Sequence, residues 1–127
     1  MLSAVPKEVS HPDLEEVTLA AVLSALGDPV RLHVMGVLAD GNEHVRTDFT
    51  VRIAQSTFSH HMKTLREAGL TWQRMEGTRC YVTLRKEALR RFPAVLESVL
   101  AAERAERNRT SAHPASSGSS SNSSFTR

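Results

Sequence analysis

A mainly α-helical domain carrying one small β-hairpin is the fold class the sequence predicts, and three observations predict it. Apolar residues recur at helical spacing up to Gly69 and again after Pro93. Gly27, Gly41 and Gly69, with the pair Asp28-Pro29, divide those runs into helix-sized pieces. Around Gly77 the pattern changes to alternating β-formers on both sides of a glycine turn.

Asp13, with Glu16 three residues on, makes a capping-box start. Val17, Ala20, Ala21, Ser24 and Leu26 then carry an amphipathic helix to Gly27. Asp28 supplies an N-cap and Pro29 a first helical position, since a proline there gives up a donor that has no partner anyway. Val30, Leu32, Val34, Val37 and Leu38 make that second helix a core element, closed by Gly41. Glu43 to Ile53 is less periodic and reads as a short helical turn and a loop.

The segment from Ala54 to Gly69 carries the functional signal. Phe58, His61, Met62 and Leu65 recur at i, i+3, i+4 and i+7, the pattern of a face packed on a core. Gln55, Ser56, Ser59, His60 and Lys63 fall on another side, with Thr57 beside them. That side lacks bulky apolar groups, offers donors and acceptors, and ends in a cation, as base edges and phosphates require of an inserted helix. Leu70 to Glu76 and Arg79 to Leu84 form a hairpin about Gly77-Thr78, with Arg74 and Arg79 flanking its tip in reach of DNA phosphates. The order helix, turn, reading helix, hairpin is a winged helix-turn-helix.

Arg85 to Phe92 is a short helical stretch, and Pro93 begins a fresh helix. Val95, Leu96, Val99, Leu100 and Ala101 give that helix an apolar stripe that a twin subunit would cover, so the first four are expected at a dimer interface. We divide the chain into an N-terminal arm (1–12), one DNA-binding and dimerisation domain (13–108) and a disordered Ser-rich tail (109–127).

Composition narrows the function classes. A chain of 127 residues with 40% hydrophobic content supports one small core. No run reaches the roughly 18 apolar residues of a membrane span, and no signal-peptide core is present, so a cytoplasmic location is expected. Residues 1–48 hold three basic against eight acidic side chains, a net −5, whereas residues 49–127 hold thirteen against six, a net +7. Positive charge is thus concentrated in the half that contains the reading helix, which favours double-stranded DNA as partner. No nucleophile-elbow, P-loop or dinucleotide fingerprint occurs, and Ser56, Ser59 and His60 share one helix, so neither catalytic residues nor a cofactor are expected. The competing class is a winged-helix module for protein interaction, which would not need the polar face.

The segments L-S-A-L-G-D-P-V-R-L (23–32), Q-S-T-F-S-H-H-M-K-T-L-R-E-A-G-L (55–70) and E-G-T-R-C-Y (76–81) resemble the ArsR/SmtB-type winged-helix repressors over residues 14–102. The resemblance implies a homodimer joined through its first and last helices, binding an imperfect palindrome and released by an inducer. It also implies mainly structural roles for Asp28, Pro29 and Arg31. Metal-sensing relatives carry a cysteine pair before the reading helix, where this chain has H-V-R-T-D-F (44–49), and Asp and His ligands on the last helix, where residues 85–109 have neither. No metal site is expected, and the releasing signal is expected to be non-metal. His33 and His44 read as packed or solvated side chains. Cys80, the one cysteine, alternates with Val82 and Leu84 as a small hydrophobe, with a redox-responsive role, its thiol activated by neighbouring Arg79, as the alternative.

Overall fold

The computed structural model describes residues 9–111. The expected disordered tail, from Ala112 onward, and the first eight residues of the arm lie outside them. Five helices and a hairpin follow one another: α1 (Leu19–Leu26), α2 (Pro29–Leu38), α3 (Gln55–Glu67), β1 (Thr71–Glu76), β2 (Arg79–Leu84), α4 (Lys86–Arg91) and α5 (Pro93–Ser111). One-turn 3-10 helices, Leu14–Glu16 and Arg46–Asp48, precede α1 and α3.

The first helix differs from expectation. Asp13 caps only the turn Leu14–Glu16, accepting from the Glu15 N–H, and the chain then extends through Val17 and Thr18. The Thr18 hydroxyl accepts from the Ala21 N–H at 3.1 Å and starts α1 afresh. Val17 is buried, so extending the chain there places a β-branched side chain in the core. The second helix starts as the sequence predicts, with one Asp28 carboxylate oxygen accepting from the Val30 and Arg31 N–H groups at 2.8 and 3.1 Å. α5 starts at Pro93 and runs to Ser111, past the boundary drawn at residue 108.

The core gathers Val22 of α1, Val34, Met35 and Leu38 of α2, Leu65 of α3, and Leu70, all inaccessible to solvent. Leu96 of α5 joins them. α5 approaches α2 closely because Gly36 has no side chain: a Cβ there would collide with the Glu103 carboxylate. α3 closes with Gly69 in the left-handed conformation (φ 76°), its N–H bonding to Arg66 and that of Leu70 to Leu65. A Cβ on Gly69 would lie 2.5 Å from Leu14, so the same residue ends α3 and admits the N-terminal turn.

The hairpin is antiparallel, pairing Thr71 with Leu84 through Glu76 with Arg79, and Gly77 takes a positive φ of 63° in the turn. At the level of the Gln73–Val82 pair both outer edges are closed. His44 forms a backbone bridge to Val82, and the His11 ring accepts the Gln73 N–H at 2.9 Å while stacking on Trp72 at 3.8 Å. An edge strand's free backbone groups are satisfied on both sides, which holds the hairpin against the helices.

Candidate nucleic-acid interface

α3 separates its faces as its spacing requires. Phe58, Met62 and Leu65 are buried, while Gln55, Ser56, Thr57, Ser59, His60 and Lys63 are exposed together. His61 turns the other way, toward the start of α2. Its Nδ1 lies 3.0 Å from the Arg31 guanidinium, which also donates to the Ala25 carbonyl at 2.7 Å and the Ser24 carbonyl at 3.4 Å. Asp28 and Arg31 thereby stitch the α1–α2 corner to the back of α3.

Among the described residues, Ser56, Thr57, His60 and Lys63 make no side-chain hydrogen bond within the chain. Gln55 donates to the Ser59 hydroxyl at 3.3 Å and accepts from the Arg46 Nε at 3.3 Å. Arg46 was not a sequence candidate, yet it lies over the Phe58 ring at 4.2 Å and donates to the Ile53 carbonyl at 3.4 Å. It fixes the entry to α3 from the preceding 3-10 turn. The only sequence signal was a cation nine residues before Gln55, too remote for any local rule.

The hairpin brings one expected arginine to this face and holds the other elsewhere. Arg79, at the tip, is exposed and has no carboxylate partner among the described residues. Arg74 is clamped by Glu43 through two bonds of 2.7 and 3.0 Å and lies over the Tyr81 ring. Glu76 stands 3.8 Å from the same guanidinium. Its charge is therefore already answered, unlike that of Arg79.

Gln73 and Arg66 lock hairpin to helix. The buried Gln73 amide donates to the Met62 carbonyl at 3.0 Å and the Thr71 hydroxyl at 2.9 Å, and accepts from Arg66 at 3.3 Å. Cys80 is half-buried, and burial pushes its thiol pKa up. The cation that partly opposes this shift is Arg66 rather than the adjacent Arg79. A thiol held protonated is a poor nucleophile, which corrects the expectation that Arg79 would activate it.

On α5 the apolar stripe divides. Leu96 is wholly enclosed by the chain's own core, so the structure removes it from the expected dimer surface. Val95, Val99 and Leu100 are half-buried, and Ala101 and Ala102 are exposed. Val99 and Ala102 share a shallow groove with Leu23 of α1. Leu19 and Leu23 are 45% and 50% exposed and, with Trp72, are the exposed large apolar side chains among the described residues.

The other histidines serve the loops. His33 accepts the Thr50 N–H at 3.2 Å, and His44 places one ring nitrogen against each of Asp40 and Asp48. Among the described residues no group of three His, Cys, Asp or Glu is placed to hold a metal ion. No single described helix is long and apolar enough to cross a membrane.

No family model matches the chain. It is 33% identical over 84 residues to the uncharacterized HTH-type transcriptional regulator YceK of Bacillus subtilis, covering 63% of this chain and 84% of that protein. The chain belongs to the HTH-type transcriptional regulators. A second such protein, the uncharacterized MJ1325 of Methanocaldococcus jannaschii, is 34% identical over 61 residues, 46% of this chain and 68% of its own. The fold of this regulator is that of the ArsR-type winged helix. It matches an ArsR family transcriptional regulator, RHA00566, with TM-score 0.52 and 21% identity over 81% of this chain and 97% of the other. It also matches Rv0081 of M. tuberculosis, with TM-score 0.50 and 22% identity over 69% and 90%. The regulator is a DNA-binding protein.

Proposed function

We propose that this regulator is a homodimeric repressor that reads an imperfect palindrome with α3 and is released by a non-metal signal. Gln55, Ser56, Thr57, Ser59 and His60 face the base edges, and Lys63 and Arg79 contact phosphates. Arg74 joins them only by exchanging Glu43 for phosphate. The observation that carries this reading is the contrast on α3: its back is packed or hydrogen-bonded to the chain, while its front leaves donors and a cation without intramolecular partners. An inserted helix meets a surface whose acceptors and negative charge match such a face.

A twin subunit covers Leu19 and Leu23 of α1 with Val95, Val99 and Leu100 of α5. Two-fold symmetry then sets the half-sites about one helical turn, roughly 34 Å, apart or a multiple of it. Selecting bound fragments from genomic DNA and footprinting them tests the whole reading. A palindromic footprint is expected; binding that does not distinguish fragments would overturn sequence reading. Sedimentation tests the dimer separately: Val99→Asp should give monomers that bind the selected site poorly, and a monomeric wild type at micromolar concentration would overturn the interface.

A further inference from the structure

Between the inner face of the hairpin and α3 lies an open cavity of about 660 Å³, within the size range of small-molecule sites. Its floor is the core itself: Phe49, Phe58, Met62 and Val82 present buried apolar surface there. Met75 and Cys80 of the hairpin add an apolar wall. Gln55 and Ser59 stand on one rim and Thr78 and Arg79 on the other, so the cavity opens between the reading face and the wing tip.

Its electrostatics are one-sided. Arg46, Arg66 and Arg79 line it, and no carboxylate does. Among the described residues none of these three belongs to an ion pair, whereas Arg74, Arg85 and Arg107 each have a glutamate within 4.0 Å. A carboxylate is the complement of three guanidinium groups that have no acid of their own, because its hydrogen bonds to them are charge-assisted.

We propose that this cavity binds a small amphiphilic anion, an apolar body with one carboxylate-type head, and that its occupant competes with DNA. The apolar body covers Phe58, Met62 and Met75 while the head meets Arg66 and Arg79. Because the cavity lies between the two elements that contact DNA, occupancy withdraws Arg79 from phosphate and fills the gap into which the backbone settles. The competition, though not the binding, rests on the DNA reading above.

Cys80 is the only cysteine and lines the cavity, so its alkylation by iodoacetamide reports occupancy in the intact protein. Octanoate is the probe, with 1-octanol, octyltrimethylammonium and acetate as comparators. Octanoate at a few times its Kd should slow alkylation about fivefold, the slowing expected at roughly 80% occupancy, and the comparators should not. Arg66→Gln, checked for folding by circular dichroism, should weaken octanoate about tenfold, which is about 1.4 kcal/mol. Equal protection by octanol would show that the arginines play no part and overturn the proposal. Equal protection by acetate would reduce the site to a plain anion contact and overturn it too, as would no protection by any probe. In a second arm, octanoate should lower the anisotropy of labelled genomic fragments bound to wild type. Retained DNA binding at saturating octanoate overturns the competition; failure to bind DNA without octanoate overturns the DNA reading instead, leaving the alkylation result standing.

Discussion

Two polar regions of this regulator differ in one respect that separates architecture from function. At the α1–α2 corner the charged groups are answered inside the chain: Asp28 accepts two backbone N–H groups, and Arg31 bonds to Ala25, Ser24 and His61. On the α3 and wing face Ser56, His60, Lys63 and Arg79 answer to nothing within the described chain. Closed constellations contribute to folding free energy, since their partners are fixed before any ligand arrives. Open ones contribute little to folding and are free to be completed by another molecule.

The comparison breaks first at Arg31. Arg31→Ala should cost about 1.5–3 kcal/mol of stability, because a half-buried charged donor leaves three partners at once. Urea unfolding measures it, and the affinity of the remaining folded protein for DNA should stay near that of wild type. A large loss of affinity with unchanged stability would place Arg31 with the open set and dissolve the distinction.

The opposite pattern is expected on the front of α3. Ser59→Ala and His60→Ala should each weaken binding to the selected site by about 1–3 kcal/mol for every base edge no longer read, with stability within about 0.5 kcal/mol of wild type. Measuring affinity for selected and scrambled duplexes at several salt concentrations separates the roles. An equal drop in affinity on both duplexes would reassign these residues to phosphate. Lys63→Ala and Arg79→Ala should instead flatten the salt dependence.

Asp28→Ala is a smaller test of the closed set. Removing an N-cap costs typically about 1 kcal/mol, and the melting temperature should fall accordingly. Asp28→Asn retains a capping oxygen and should restore most of the loss. An unchanged melting temperature for the alanine variant would show that the cap is replaced by solvent.

What could be read from the sequence follows the distance between interacting residues. The Asp28-Pro29 start, the Gly69 stop and the division of α3 into two faces are decided within a few residues, and all three appear as expected. The start of α1 departs from expectation because Asp13 and Glu16 form a legitimate local signal that the burial of Val17 overrides. Leu96 and Val99 lie on one stripe by periodicity, but only the packing of α5 tells which of them the chain itself covers. Arg46 against Gln55, Gln73 against Met62 and His11 against Gln73 join residues 9, 11 and 62 positions apart, beyond any spacing rule. The front of α3 stood out because its exposed polar stripe lies within one continuous helix, where spacing alone defines a face.

The smallest effect concerns the two histidines that close the hairpin edges, and its sign differs between them. For His44 burial opposes charging the ring, but hydrogen bonds and attraction from Asp40 and Asp48 prevail, and its pKa is raised above the ordinary 6.5. Its contribution is therefore fully present below pH 6.5 and is lost as pH rises through the folded value. The partner carboxylates are lowered from 3.8, so their share is lost only as pH falls through their folded values. For His11 burial comes first and Arg85 and Arg66 add to it, lowering the pKa from 6.5. Its ring accepts the Gln73 N–H, so the neutral form is the bonded one, and its contribution is present above pH 6.5 and lost on acidification. Melting curves across roughly pH 5 to 8 should thus show His44→Gln most damaging at the acid end and His11→Gln most damaging at the alkaline end. Parallel pH dependence of the two variants would mean that the His44 and His11 rings do not contribute to stability in opposite protonation states.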